Sequence, residues 1–418
     1  MSFKSLSYQE GLQIDLFSSE FKKDAYLFYE SLRVNNPVFR FSLPSEKTAW
    51  LITRYDDAIK ILKDNQFIKD PYKLFKPKEI EKMFPNLEKD LLTNLEKDLL
   101  TNHMLNSDPP NHTRLRKVVH TAFSSRTVKS LRRQIEDISQ DLIDKVEYKG
   151  EMDIIDDFAF PLPIAVIGSL LGVPESDYKV FRKWSNTLVE ASNFPSKMKD
   201  ARPEFQAFSD YLQFLIMKRK EQPKNDLISK LIYTKSEEDQ LTQQEICSMI
   251  FLLIIAGHET TVNLIGNGIL ALLQFPEQLE KLKSNFNLID SAVEELLRFY
   301  SPVELATNRW ASKDLFIRDK LIRKGDMIVV SLASANRDEL KFFNPEYLDI
   351  SRSNNHHLAF GMGIHYCLGA SLARLEGKIA INTVLKRVPN IRLNADLETL
   401  SWRPTYLMRG LGKLPVIF

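Results

Sequence analysis

The longest unbroken apolar run in the chain is MIFLLIIAG, Met249–Gly257. It sits inside a longer segment, Thr242 to Gln274, that is apolar on every side, the pattern of a helix buried all round rather than amphipathic. Thr242 and Glu245 have capping-box spacing, and Leu241 and Ile246 are placed as a hydrophobic staple. Pro276 marks the end. At ~1.5 Å per residue this predicts a central helix of about 50 Å. Helical periodicity also covers Asp24–Arg33, the stretch DDAIKILKD, and a succession of segments from Thr113 to about Asn287. Period-two patterning is confined to Val38–Phe41, Ala49–Thr53 and a patch from Leu315 to Val330. The prediction is a mainly α fold with a minor β region (α+β). No linker rich in glycine, serine or proline divides the chain, so residues 1–418 are expected to form a single domain, with small β-rich portions near 38–53 and 301–330.

Composition sharpens this in two ways. The chain has 418 residues, 44% of them apolar, enough to build a core around a sizeable ligand. Its 57 basic and 55 acidic residues leave a net charge of +2, which makes no general case for nucleic-acid binding. The nine-residue apolar run is about half of the ~18 a membrane span needs, and the N-terminus lacks a signal pattern, so no membrane anchor is expected. The two cysteines form no CxxC or zinc spacing, and a reducing cytoplasm is the expected compartment. One oddity is NLEKDLLT, present at 86–93 and again at 94–101. It reads either as a duplication tolerated at the surface or as a lengthened lid over a binding cavity.

Two sites carry candidate chemistry. In the middle of the apolar helix stands AGHETT, Ala256–Thr261. Glu259 is costly there unless it is used or satisfied. Thr260 can return its hydroxyl to the carbonyl of Ala256, which bends helices, and Gly257 is expected to open space for a small molecule. An acid and an alcohol at a bend suit a proton relay; a polar pair that only relieves the bend is the alternative. Cys247, in the same helix, is expected to be core. The second site is FGMGIHYCLGA, Phe360–Ala370. Gly361, Gly363 and Gly369 are expected to turn the backbone around Cys367, and Leu368, Leu372, Leu375 and Ile379 form a helix stripe after it. A cysteine just before a helix N-terminus is expected to be held as thiolate, a metal ligand or a nucleophile. A nucleophile would need a base such as His365; a ligand explains more, since one thiolate suffices when the remaining ligands belong to a porphyrin.

FGMGIHYCLG resembles the haem-ligand signature of the cytochrome P450 monooxygenases, F-G-x-G-x-H-x-C-x-G, with every fixed position present. AGHETT is similar to the oxygen-activating helix motif of that family, and EELLR, with Glu295 and Arg298, matches its E-x-x-R. The resemblance spans essentially the whole chain and implies the P450 fold, with haem b between the long central helix and the cysteine loop. Cys367 would be the axial iron ligand. DPPNHTRLR would supply His112 and Arg116 to the haem propionates, NRWA would supply Arg309, and His365 would be a fourth partner. Many relatives carry an arginine near Tyr347; here Arg352 would complete a structural network with Glu295 and Arg298.

The resemblance implies an oxygenase that places one atom of O2 into a C–H bond and reduces the other to water. Glu259 and Thr260 would be catalytic, Thr260 hydrogen-bonding the activated oxygen and Glu259 feeding protons. Electrons would come ultimately from NAD(P)H through a ferredoxin or flavodoxin with its reductase. The wording of AWLITRYDDA, SANRD and LARLEG looks closest to soluble Bacillus-type enzymes that tailor polyketides and macrolides. A bulky hydrophobic substrate is expected, of polyketide/macrolide, fatty-acyl or steroid kind. Leu252, Ile255, Ala256, Val303, Leu305 and Leu407 are the expected pocket residues, alongside segments 71–107 and 192–203. Desaturation or C–C cleavage on the same iron, a non-catalytic haem sensor or carrier, and a haem-free thiol hydrolase are the rival readings.

Overall fold

A single helix, Gln243–Gln274, forms the axis on which the rest is assembled. In this computed structural model residues 15–16, 18–42, 48–83, 99, 101–193, 197, 199–234 and 240–418 are described. The axial helix starts where the sequence predicts. The hydroxyl of Thr242 accepts from the backbone N–H of Glu245 at 3.1 Å, and the Glu245 carboxylate accepts from the N–H of Thr242 at 2.9 Å, closing the capping box. Arg114 then grips the same carboxylate from the helix Asn111–Ala122. Around the axis pack Pro161–Leu171, Tyr178–Asn193, Arg202–Glu221, Ile289–Phe299 and Ala370–Arg387, and their apolar faces form one large core with it.

Two helical stretches, Ile154–Leu171 and Gln243–Gln274, are long and apolar enough to cross a membrane, although no uninterrupted apolar run reaches that length. In each, 72% of the most apolar stretch is buried inside the fold, as in the core helices of globular proteins.

The two predicted β-rich regions join in one sheet. Its order is Val38–Ser42, Thr48–Ile52, Met327–Val330, Arg309–Ala311, Phe67–Ile68. The single parallel pairing sets Ala49 against Met327 and Ile52 against Val330; the others are antiparallel. Leu315–Ile317 and Lys320–Ile322 form a separate hairpin. A further small sheet, absent from the sequence reading, pairs Pro415–Ile417 with both Glu151–Asp153 and Arg392–Leu393. The first copy of the duplicated segment and nearly all of the second lie outside the described residues, as does part of 192–203.

Candidate active site

The cysteine loop is fixed by backbone contacts. Gly361 and Gly363 have φ of +67° and +76°, which side-chain-bearing residues rarely adopt. A Cβ at Gly363 would also lie 2.4 Å from the carbonyl oxygen of Leu62. Gly369 departs from expectation: its φ of −84° is ordinary and a Cβ there would meet nothing, so the turn does not require it. The amide of Cys367 donates to the carbonyl of Phe360 at 2.9 Å, and the helix Ala370–Arg387 begins three residues later.

The sequence leads to a thiolate at Cys367 favoured by the helix end, and burial acts against it. Burial pushes the thiol pKa up, against the opposing pull of the Gly369 amide, Arg116 and Arg374. Burial thus opposes the helix end here, because desolvation penalises a charged sulfur. Among the described residues no group of three or more His, Cys, Asp and Glu is placed to hold a metal ion. A metal at Cys367 must bring its other ligands with it.

Beside the loop lies a cluster of positive groups from four parts of the chain. The rings of His112 and His365 meet tilted by 57°, with centroids 4.3 Å apart. Arg116 donates to the carbonyl of Tyr366 at 2.6 Å, and Arg309 to that of Thr307 at 3.2 Å. Lys69, which the sequence reading missed, is 3% exposed and donates to Thr307 Oγ1 at 2.6 Å and the Asn308 carbonyl at 2.7 Å. Burial lowers every one of these pKa values: Arg309 to about 10, His365 to about 2 with Lys69 and His112 adding repulsion, and Lys69 well below the lysine range. Asp108 is the one acid that counters Lys69, His112 and Arg309, and its oxygens already accept the backbone amides of Lys69 and Asp70. Both ring nitrogens of His112 and Nε2 of His365 are buried with no hydrogen-bond partner among the described residues. Unpartnered donors and surplus positive charge fit a ligand carrying carboxylates, as haem does.

The axial helix presents its candidate pair on adjacent residues. Thr260 Oγ1 donates to the Ala256 carbonyl at 2.7 Å, and Thr261 Oγ1 to that of Gly257 at 3.1 Å. The helix runs unbroken through this turn. Glu259 is 1% exposed and its Oε1 lies 3.1 Å from Arg403, a part-exposed residue near the C-terminus that sequence reasoning also missed. Gly257 does not open space: a Cβ there would come within 3.0 Å of Ile167 Cδ1, so the glycine admits a neighbouring helix. His258, next in the motif, is fully buried, and its Nε2 lies 3.1 Å from the Phe160 carbonyl.

Glu295 and Arg298 are both fully buried and joined by two bonds of 2.8 Å. Arg352 donates to the same carboxylate at 3.0 and 3.1 Å, Asn355 at 3.0 Å, and the amide of Asp349 at 3.0 Å. Arg298 spends its other N–H groups on the carbonyls of Asn336, Pro345 and Tyr347. Tyr347 contributes that carbonyl, while its own hydroxyl meets Glu277 and Gln278.

The six expected pocket residues fall into groups: Leu305 and Leu407 meet directly, the amide of Leu305 donating to the Leu407 carbonyl at 3.2 Å. Leu252 and Ile255 belong to the helical core, Val303 packs with the sheet cluster around Ile52 and Leu358, and Leu305 and Leu407 pack with the cluster against the helix Ser19–Asn35. Ala256 alone of the six is exposed. A cavity of about 340 Å³ lies elsewhere, between Ser209 and Gln213 of one helix and Gln243, Gln244, Cys247 and Ser248 at the start of the axial helix. Cys247 is 5% exposed, and burial pushes its thiol to about 11.

Comparison with known proteins places this geometry. Residues 25–388 match the family model Cytochrome P450. A "Cytochrome P450" of Bacillus subtilis (strain 168) is 46% identical over 403 residues, covering 96% of each chain. "Polyketide biosynthesis cytochrome P450 PksS" of the same strain is 43% identical over 410 residues, 97% of this chain and 99% of that one. The solved structure of P450BioI in complex with hexadec-9Z-enoic acid ligated acyl carrier protein superposes with a TM-score of 0.85 at 40% identity, covering 96% of this chain and 100% of that one.

Proposed function

The chain belongs to the cytochrome P450 family and has its fold, and on that premise we propose that it hydroxylates a bulky hydrophobic small molecule of the polyketide/macrolide or fatty-acyl class. Electrons come from NAD(P)H through a separate ferredoxin or flavodoxin with its reductase, in the cytoplasm. The names of PksS and of the acyl carrier protein complex support these substrate classes. The observation that carries the reading is the pairing of an anion-seeking cluster at the cysteine loop with an acid and an alcohol on the axial helix.

Cys367 would hold the haem iron, and Lys69, His112, Arg116, Arg309 and His365 would hold its two carboxylates. Bound there, thiolate-ligated haem supplies reductive cleavage of O2: a substrate C–H, O2, two electrons and two protons give the alcohol and water. The protein's own part is positioning and proton supply. Thr260, its proton directed to the Ala256 carbonyl, presents oxygen lone pairs and can hold a proton at Oγ1. Glu259 stands behind it, and the part-exposed Arg403 pairs with its carboxylate at 3.1 Å.

The test is a spectral titration of the purified ferric protein with a macrolactone, a free long-chain fatty acid, the same acyl chain on acyl carrier protein, and a steroid. The reading expects displacement of an iron-bound water by one of the first three classes and hydroxylated product from that ligand. A response to the steroid alone, or binding without turnover, would overturn it. The latter result would favour a haem sensor, and a desaturated or cleaved product would redefine the chemistry on the same iron.

A further inference from the structure

One buried cluster of charge takes no part in the scheme above. Lys22 and Tyr29 lie on the helix Ser19–Asn35, Glu304 on the segment that leads to Arg309, and Arg409 near the C-terminus; none is more than 2% exposed. Lys22 Nζ donates to Glu304 Oε2 at 2.7 Å and the Tyr29 hydroxyl to Oε1 at 2.6 Å, so both carboxylate oxygens are taken. Lys22 Nζ also donates to the Met408 carbonyl at 3.0 Å. Arg409 donates to the Lys22 carbonyl at 2.7 Å, lays its guanidinium 3.9 Å from the centre of the Trp402 ring, and stands 3.7 Å from Glu304 Oε2.

Stability alone does not account for such a cluster. Taking an ammonium, a guanidinium and a carboxylate out of water is repaid only when their geometry is good, and apolar side chains of similar volume often serve stability as well or better. What apolar side chains would not supply is direction. Lys22 joins two acceptors, the Glu304 carboxylate and the Met408 carbonyl, on segments far apart in sequence.

Those two segments lie edge to edge. The amide of Arg409 donates to the Pro302 carbonyl at 2.9 Å, Val303 and Met408 form an antiparallel bridge, and the amides of Glu304 and Leu305 both donate to the Leu407 carbonyl, at 2.8 and 3.2 Å. A pairing of two such short stretches is marginal by itself. Lys22 ties both sides of it, through Glu304 on one and Met408 on the other. Glu304 and Leu305 are buried at this junction, whereas Val303, Leu407 and Met408 are only half-buried and keep surface for a ligand.

We propose that Lys22 is a positioning residue for the substrate: by holding Glu304 and the Met408 carbonyl together, it fixes the spacing of Val303 and Leu407 and so the shape of one pocket wall. The inference rests on the reading of Val303 and Leu407 as pocket residues of a haem enzyme. A wall fixed in advance spares the ligand the cost of ordering it on binding, which appears as affinity.

The test uses the ferric holoenzyme and two probes of different reach. Imidazole needs only the iron, whereas 4-phenylimidazole must also fit the wall; both are read as the Soret shift of nitrogen ligation. Lys22→Met should leave the affinity for imidazole unchanged and weaken that for 4-phenylimidazole severalfold. This variant strands the Glu304 carboxylate, so Lys22→Met/Glu304→Gln is measured beside it. The double variant removes the stranded charge and keeps an acceptor for Tyr29. It should melt close to wild type and still bind 4-phenylimidazole severalfold more weakly. Wild-type affinity for 4-phenylimidazole in the double variant, or an equal loss for both probes, would overturn the positioning role while leaving the enzyme reading intact. A haem-loaded wild type that shifts with neither probe would instead overturn the open iron site on which the proposal rests.

Discussion

Two clusters of buried charge meet the segment 355–367, one at each end, and they differ in a way that separates structure from function. At Asn355, the Glu295 carboxylate accepts from Arg298, Arg352, Asn355 and the Asp349 amide, and the surplus N–H groups of both arginines find backbone carbonyls. At His365, Lys69, Arg116 and Arg309 crowd together with two imidazoles, and three ring nitrogens find no partner among the described residues. In the first cluster every charged group is paired within the chain, and only Asn355 Oδ1 is left without a partner among the described residues. The second becomes complete only when an anion enters, and a chain folding for its own stability has no reason to bury it so. Departures from polar satisfaction of this kind mark functional sites.

The largest expected effect lies in the self-contained cluster. Glu295→Ala leaves Arg298, fully buried, without its carboxylate, and breaking a buried pair costs about 3–5 kcal/mol. Denaturant unfolding should show that loss with haem absent as well as with haem present. The open cluster should behave differently. Arg309→Leu removes one repelling cation, so the haem-free protein should melt no lower than wild type. Haem retention, read by transfer to apomyoglobin, should fall by roughly 10- to 100-fold, the ~1.5–3 kcal/mol of a charged hydrogen bond. A fall in haem-free stability equal to that of Glu295→Ala would erase the distinction. The smallest effect is a control remote from both clusters: Thr242→Ala opens the capping box and should cost about 1 kcal/mol without changing haem affinity.

The same contrast explains what the sequence could and could not convey. Cys367, His365, Glu259, Thr260, Glu295 and Arg298 lie in short motifs whose spacing is itself the signal, and the capping box and both β-rich regions follow from local pattern. Lys69 and Arg403 have no such local mark. FIKDPYK reads like any strand end carrying a surface lysine, and only the pairing of Phe67–Ile68 with Arg309–Ala311 brings it under the cysteine loop. A two-residue strand is too short to show a period. Gly257 looked like room for a ligand because no sequence pattern announces Ile167.

The central claim, that Cys367 is the thiolate ligand of haem, is tested most directly by the absorption spectrum of the reduced, carbon monoxide-treated protein. Wild type and Cys247→Ser should both show the long-wavelength Soret shift of thiolate ligation, and Cys367→Ser should lose it. A wild-type spectrum without that shift, or a shift that survives Cys367→Ser, would contradict the account.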